Sequence, residues 1–189
     1  IEPDTSGNPV FDITNDNDNV EIRGVTVDSS ETDVGTTDIS VDTSTNTNDV
    51  TLNNIRFVGA DDRTAIVVDQ DDAASTVRIE DSDISTYSTG IRISSADDAG
   101  DVEIVRNQIT DSALGIDVQD TSVDSASIGF NSIVNNDIGV ESDEGSEVSA
   151  IANWWGDPSG PSGENPSGTD LDGDGDQFIN EDSTSVTLT

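Results

Sequence analysis

The strongest constraint in the chain is a pattern of apolar residues that returns with a period of roughly 22–30 residues. In each copy two apolar residues flank one polar residue: Phe11 and Ile13, Ile39 and Val41, Ile66 and Val68, Ile91 and Ile93, Ile116 and Val118, then Val140 with Ser142. A second element follows each pair, apolar at positions 0, 2 and 7. It reads Val20, Ile22, Val27; Val50, Leu52, Phe57; Val77, Ile79, Ile84; Val102, Ile104, Ile109; Ala126, Ile128, Ile133; and Val148, Ala150, Trp155. Alternation with period two over a few residues describes short strands with one buried face. No apolar stripe recurs at the helical period, so amphipathic helices are excluded. Short strands that return in equivalent columns stack coil on coil, about 4.8 Å apart. The expected fold is therefore all-β, a parallel β-helix (solenoid) of about six coils with columns of Ile and Val inside.

The same alignment places other residues. Position 5 of the second element passes from Val25 and Ile55 through Ser82 to Asn107, Asn131 and Asn153, so three successive coils put Asn at one point. Stacked Asn side chains hydrogen-bond along such a column as an amide ladder. Gly90, Gly115 and Gly139 precede inward strands, where the turn is expected to demand a positive φ. Polar stretches at 28–38, 58–64, 94–100 and 119–125 vary in length and are read as outward turns. Parallel stacking also sets Arg78 beside Glu103, Arg92 beside Asp117, Arg106 beside Asp81 and Arg56 beside Asp83. Arg23 meets Asn53, and Arg63 falls in a turn. These arginines read as exposed ion pairs worth about 0–1 kcal/mol each.

Composition narrows the chemistry. The 189 residues carry 41 acidic against 6 basic side chains, a formal charge of -35, with apolar residues at 31% and aromatics at 4%. Every basic residue is Arg, and Lys, His, Cys and Met are absent. Without Cys or His the chain has no disulfide framework, no thiolate or imidazole zinc site and no Cys or Ser-His nucleophile. A surface this negative disfavours nucleic acid and anionic lipid. Low hydrophobicity with high charge is also the signature of disorder, but a disordered acidic chain has no reason to keep strand periodicity. The composition instead fits a protein that folds in molar salt, where the Debye length falls to about 3 Å and self-repulsion is screened. An extreme halophile, of the haloarchaeal kind, is the expected source. No run of 18 apolar residues and no leader-like N-terminal segment occurs, so neither a membrane span nor a signal peptide is expected.

The stretches Asn107-Gln-Ile-Thr-Asp-Ser-Ala-Leu-Gly-Ile116 and Asn131-Ser-Ile-Val-Asn-Asn-Asp-Ile-Gly-Val140 resemble the N-x-I-x-x-N-x-x-G-I repeat of right-handed parallel β-helix proteins. That group includes NosD-like periplasmic proteins and the broader set of carbohydrate-binding proteins and sugar hydrolases. Asn153-Trp-Trp-Gly-Asp-Pro-Ser-Gly-Pro161 looks like the N-W-W-G-x-x-S-G-P segment that closes such helices in archaeal and bacterial surface proteins. The resemblance covers roughly residues 9–161, although the first three copies keep only the apolar pattern. It implies a right-handed helix, an extracellular or cell-surface location and further N-terminal coils. Trp155 is expected to plug the apolar column, with Trp154 packed under the segment from Pro158 to Pro166. Tyr87 is the one further aromatic expected to be exposed, which weakens a sugar-stacking reading of the tryptophans.

Two units follow, a β-helix over 1–161 and a Gly/Pro/Asp-rich extended tail over 162–189. In the tail, Asp170, Asp172 and Asp174, with Gly175 for the sharp turn and Glu181 in the twelfth place, match a calcium loop of the form D-x-D-x-D-G-x5-E, and Asp176 adds a carboxylate. Helices of an EF-hand are absent around it. Ca2+ is accordingly the one expected cofactor, fastening the tail to the end of the helix. Two-carboxylate glycoside chemistry is not discriminating among so many acids, and β-helix polysaccharide lyases bring only Arg106 beside Asp81 to attention. The expected function is a non-enzymatic scaffold, adhesion or assembly domain; the alternative is polysaccharide binding or cleavage. Self-association, or docking to a missing N-terminal part of the same protein, is the expected partnership.

Overall fold

A computed structural model describes residues 8–14, 19–30, 37–43, 49–70, 75–96, 101–119, 126–143, 148–164, 170–180 and 186–187. The first coil holds β1 (Phe11–Thr14), β2 (Val20–Arg23) and β3 (Thr26–Asp28), and the second β4 (Thr37–Asp42), β5 (Val50–Asn53) and β6 (Arg56–Val58). Next come β7 (Thr64–Gln70), β8 (Thr76–Glu80) and β9 (Asp83–Ser85), then β10 (Thr89–Ala96), β11 (Asp101–Val105) and β12 (Gln108–Thr110). A fifth coil holds β13 (Leu114–Val118), β14 (Ala126–Gly129) and β15 (Ser132–Val134). The sixth has only β16 (Ile138–Ser142) and β17 (Val148–Ser149). The tail adds β18 (Pro161–Glu164), β19 (Asp170–Asp172), β20 (Gly175–Asn180) and β21 (Val186–Thr187).

Corresponding strands pair in parallel to give three sheets. The first runs β1-β4-β7-β10-β13-β16-β20-β18-β19, the second β2-β5-β8-β11-β14-β17-β21 and the third β15-β12-β9-β6-β3. The fold is thus a parallel β-solenoid without helix among the described residues. Its complete three-strand coils number fewer than the six expected, because the sixth reaches the third sheet only through a bridge from Ser132 to Trp154. Register follows the sequence columns: Phe11 faces Ile39, Ile39 faces Ile66, and Ile91 sits between Ile66 and Ile116. In the second sheet Val20, Val50, Val77, Val102, Ala126 and Val148 form one column. A one-residue slip would turn every column outward, so the apolar pattern fixes the register. Ile39, Leu52, Ile66, Ile79, Ile91, Ile104, Ile116 and Ile128 are fully buried, each contributing about 1.5–3 kcal/mol.

A second column recurs at the corner between the second and third sheets. Gly24, Asn54, Asp81, Arg106, Phe130 and Ala152 occupy it, all with φ between 51° and 66°. Only the first is glycine, so the corner is held by the hydrogen bonds around it rather than by residue choice. Gly90, Gly115 and Gly139, by contrast, do not have the positive φ expected of them. Their reason is space: a Cβ on Gly90 would lie 2.6 Å from the Gly115 carbonyl oxygen, and one on Gly115 would lie 2.5 Å from that of Gly139.

Candidate functional site

The Asn column is built as expected. Asn107 Oδ1 accepts the Ser82 amide at 2.9 Å, Asn131 Oδ1 accepts the Asn107 amide at 2.8 Å and Asn153 Oδ1 accepts the Asn131 amide at 2.9 Å. Each Nδ2 donates in turn to a main-chain carbonyl, of Ile79, Ile104 and Ile128 respectively. A second ladder runs beside β10, β13 and β16. The Tyr87 amide donates to Ser112 Oγ, the Ser112 amide to Asn136 Oδ1, and the Asn136 amide to Asp176 Oδ2 at 2.8 Å.

Asp176 ends that ladder. Its carboxylate accepts from the amides of Asn135 and Asn136 and from Asn136 Nδ2. Phe178, fully buried, stacks on Val140 and meets Trp155 edge to face, with ring centroids 6.1 Å apart. These contacts give the first sheet a further strand, β20, after β16. Of the other proposed calcium ligands, Asp172 and Asp174 are exposed and Asp170 pairs through its backbone with Glu164. Glu181 lies outside the described residues. Among the described residues no three acidic side chains are gathered so that they could hold a metal ion.

The four predicted cross-coil ion pairs all form. Arg92 reaches Asp117 at 2.8 Å, Arg106 reaches Asp81 at 2.8 Å, Arg56 reaches Asp83 at 4.0 Å, and Arg78 pairs with Glu103. Arg78 and Arg106 also share Glu80, at 2.8 and 2.6 Å. Bonds from Arg78 and Asn53, with Arg106 behind them, hold the Glu80 carboxyl down at about 2. Asp81 and Glu80 in turn raise the pKa of Arg106 above its already high ordinary value. A guanidinium held cationic in this way is poorly suited to accept a proton as a general base.

Two sequence expectations fail at one place. Tyr87 is buried at 1% exposure instead of exposed, and Arg63, although it lies in the turn before β7 as expected, has its side chain buried at 1% instead of exposed. They converge on Asp38, also fully buried. Its Oδ1 accepts Arg63 Nε at 3.2 Å and also Nη2, while Oδ2 accepts the Tyr87 hydroxyl at 2.6 Å and Ser29 Oγ at 2.9 Å. Burial, then the neighbouring Asp38 charge and its bond, push the Tyr87 hydroxyl pKa strongly up. Gly59 makes the room, because a Cβ there would occupy the Tyr87 ring. A signal for this cluster was present in the sequence: Arg63 alone found no column partner in a chain crowded with acids.

The tryptophans divide. Trp155 is buried at the end of the core, as expected of a plug. Trp154 is not packed away: it is 48% exposed, and Ile151 and Phe130 are exposed at 39% and 71%. The amide of Phe130 donates to the Ile151 carbonyl, so Phe130 and Ile151 belong to adjoining coils at one corner. Phe130 sits there with φ of 58°, a conformation that bulky residues rarely adopt. Compared with known proteins, the chain matches no protein-family model, no curated protein and no solved structure.

Proposed function

We propose that this chain is a non-enzymatic scaffold or assembly module, working outside the cell or at its surface in high salt and joining other β-structure end on. The observation that carries this reading is the first coil. β1, β2 and β3 each pair on one side only among the described residues. Phe11, Ile13, Val20 and Ile22, which head the apolar columns, are only partly buried. An open row of strand edges over an apolar column is a template for further parallel strands, whether preceding coils of the same protein or a second copy.

Sedimentation in about 3 M KCl, where charge is screened over roughly 3 Å, tests it. Concentration-dependent association that is lost in Ile13→Asp supports the proposal; a monomer at every concentration overturns it. Polysaccharide binding is the second reading, favoured by the exposed Phe130, Ile151 and Trp154. Turnover of acidic or neutral polysaccharides to new reducing ends or unsaturated uronates, abolished by Arg106→Ala, would replace the scaffold reading with an enzyme. Weak Ca2+ binding by the carboxylates from Asp170 to Glu181 belongs to the same proposal, with calorimetry of Asp172→Ala as its check.

A further inference from the structure

Over the second and third sheets the third coil carries Arg78, Glu80, Asp81 and Asp83, and the fourth carries Glu103 and Arg106. The corresponding stretches of the fifth and sixth coils, 126–134 and 148–156, hold no charged residue at all, in a chain that carries -35. The three large apolar side chains that are exposed among the described residues, Phe130, Ile151 and Trp154, all lie in these two stretches. Phe130 stands there at a cost, 71% exposed and with φ of 58°. Other coils fill the same left-handed corner with Gly24, Asn54, Asp81, Arg106 or Ala152, so the fold has no need of an aromatic ring at that point. Strain retained where folding gains nothing from it marks a position kept for function.

The columns arrange these residues in an order that is its own complement. β14 pairs with β17 through Ala126 with Val148 and Ser127 with Ser149, and the same register carried on sets Gly129 beside Ile151, where the Phe130 amide donates to the Ile151 carbonyl. Phe130 and Ala152 share the left-handed corner, with φ of 58° and 59°. Ser132 is bridged in parallel to Trp154. Along the fifth coil the outward residues therefore read small, large, small; along the sixth they read large, small, large. Each coil is the negative of its neighbour, column by column.

We propose that this face binds a second copy of the chain side by side and antiparallel, with Phe130 of each copy seated on Ala152 of the other. A two-fold axis lying across the strands, between the fifth and sixth coils, brings the fifth coil of one copy opposite the sixth of the other without shifting the columns. Every large residue then meets a small one: Phe130 meets Ala152, Ile151 meets Gly129 and Trp154 meets Ser132. Such an interface is isologous and closes at two copies. A parallel pair would instead set Phe130 against Phe130 at the same corner. Charge selects the same partner and place, since two chains of -35 approach most easily where neither presents a carboxylate, and contact between apolar side chains survives the salt that screens ion pairs. The footprint is small, roughly 10 Å by 15 Å for two strands and four residues, well below the roughly 800 Å2 per partner of a standard interface. The pair is accordingly weak and transient. It is independent of the end-on stacking proposed for the first coil.

The test uses the full chain, isotopically labelled, in about 3 M KCl, where charge is screened over about 3 Å or less, both as the parent and as Ile13→Asp to remove end-on contact. The readout is the indole N–H resonance of Trp154 against protein concentration up to about 2 mM, with buried Trp155 as internal reference. A shift of Trp154 alone, fitting a dissociation constant of about 0.1–1 mM in both proteins, is expected. Phe130→Ala leaves a hole facing a hole and Ala152→Phe sets ring against ring, so each should weaken pairing about 10-fold. The double variant Phe130→Ala, Ala152→Phe exchanges ring and seat in both copies and should pair within about 2-fold of the parent, a coupling that independent sites would not show. Pairing by Ala152→Phe as tight as the parent's, which general stickiness would give, overturns the proposal, and so does a double variant no better than Phe130→Ala. Loss of all association in Ile13→Asp also overturns it while leaving the end-on reading in place. A Trp154 resonance that ignores protein concentration but moves with phosphatidylcholine vesicles or a neutral glucan gives the face to that partner instead of a second copy.

Discussion

Removing the buried cation should unsettle this fold more than any surface change. Asp38, Arg63, Tyr87 and Ser29 are all buried, and the Asp38 carboxylate is fully engaged by the donors of the other three. Arg63→Met keeps most of the side-chain volume but leaves a buried carboxylate without its countercharge, a loss of about 3–5 kcal/mol. Tyr87→Phe removes one bond to a charged acceptor, worth about 1.5–3 kcal/mol, and leaves Asp38 still paired, so the lower end applies. The predicted order is Arg63→Met well below Tyr87→Phe, with Asp38→Asn combined with Arg63→Met recovering part of the loss because no uncompensated charge remains. Urea unfolding in about 2 M KCl, followed by circular dichroism with the slope unchanged between variants, measures all three. Tyr87 adds an independent readout, since it is the one tyrosine in the chain. Its folded pKa is raised above the ordinary 10.0, so its contribution is fully present below pH 10 and declines as pH rises beyond it. Ultraviolet titration should show phenolate only as the protein unfolds. An Arg63→Met cost under about 1 kcal/mol, the scale of an exposed pair, or phenolate appearing near pH 10 in the folded protein, would refute the buried network.

Two further predictions test the outer devices of the fold. Glu80 is held at about 2 against an ordinary 4.5, so its stabilisation is present above pH 4.5 and is lost as pH falls toward 2; Glu80→Gln should flatten the acid limb of stability across that interval in a thermal-melt series. Gly115→Ala should destabilise by about 1–3 kcal/mol through overpacking against the Gly139 carbonyl, whereas Gly24→Ala, with nothing within 4 Å of its new Cβ and φ of 66°, should cost only about 1–2 kcal/mol of left-handed strain. Equal melting temperatures for Gly115→Ala and the parent would mean that the stacked backbones yield.

The columns were legible because burial with period two leaves a mark on every strand. Ile39, Ile66, Ile91 and Ile116 could be aligned by eye, and the alignment then delivered Arg92 beside Asp117 and Arg78 beside Glu103 without further input. The ladder at Asn107, Asn131 and Asn153 was legible for the same reason. The second ladder was harder, because Ser112, Asn136 and Asp176 are three different residue types and the last arrives from 40 residues away in the chain. Burial of Asp38, Arg63 and Tyr87 leaves no mark in the apolar columns, because Asp38 and Arg63 fall in stretches that composition marks as turns and Tyr87 lies outside the period-two strand pattern. Their meeting is a tertiary fact, arranged by the room that Gly59 leaves. Glycine was also misread at Gly90, Gly115 and Gly139, where sequence cannot distinguish a need for φ from a need for space.

The distribution of devices along the solenoid has a common physical logic. Cross-coil ion pairs at the surface lose most of their worth when salt shortens the Debye length to about 3 Å, and six arginines could not neutralise 41 acids in any case. At such salt, register would have to rest on interactions that screening leaves alone. The ladder of Asn107, Asn131 and Asn153 meets that need, since each of its rungs is a neutral amide bonded inside the stack, where low dielectric strengthens it. The ion pair of Arg63 with Asp38, fully buried, is likewise sheltered from mobile ions. Apolar columns set which face turns inward, amide ladders set which coil sits on which, and the acidic surface is then free to serve solubility.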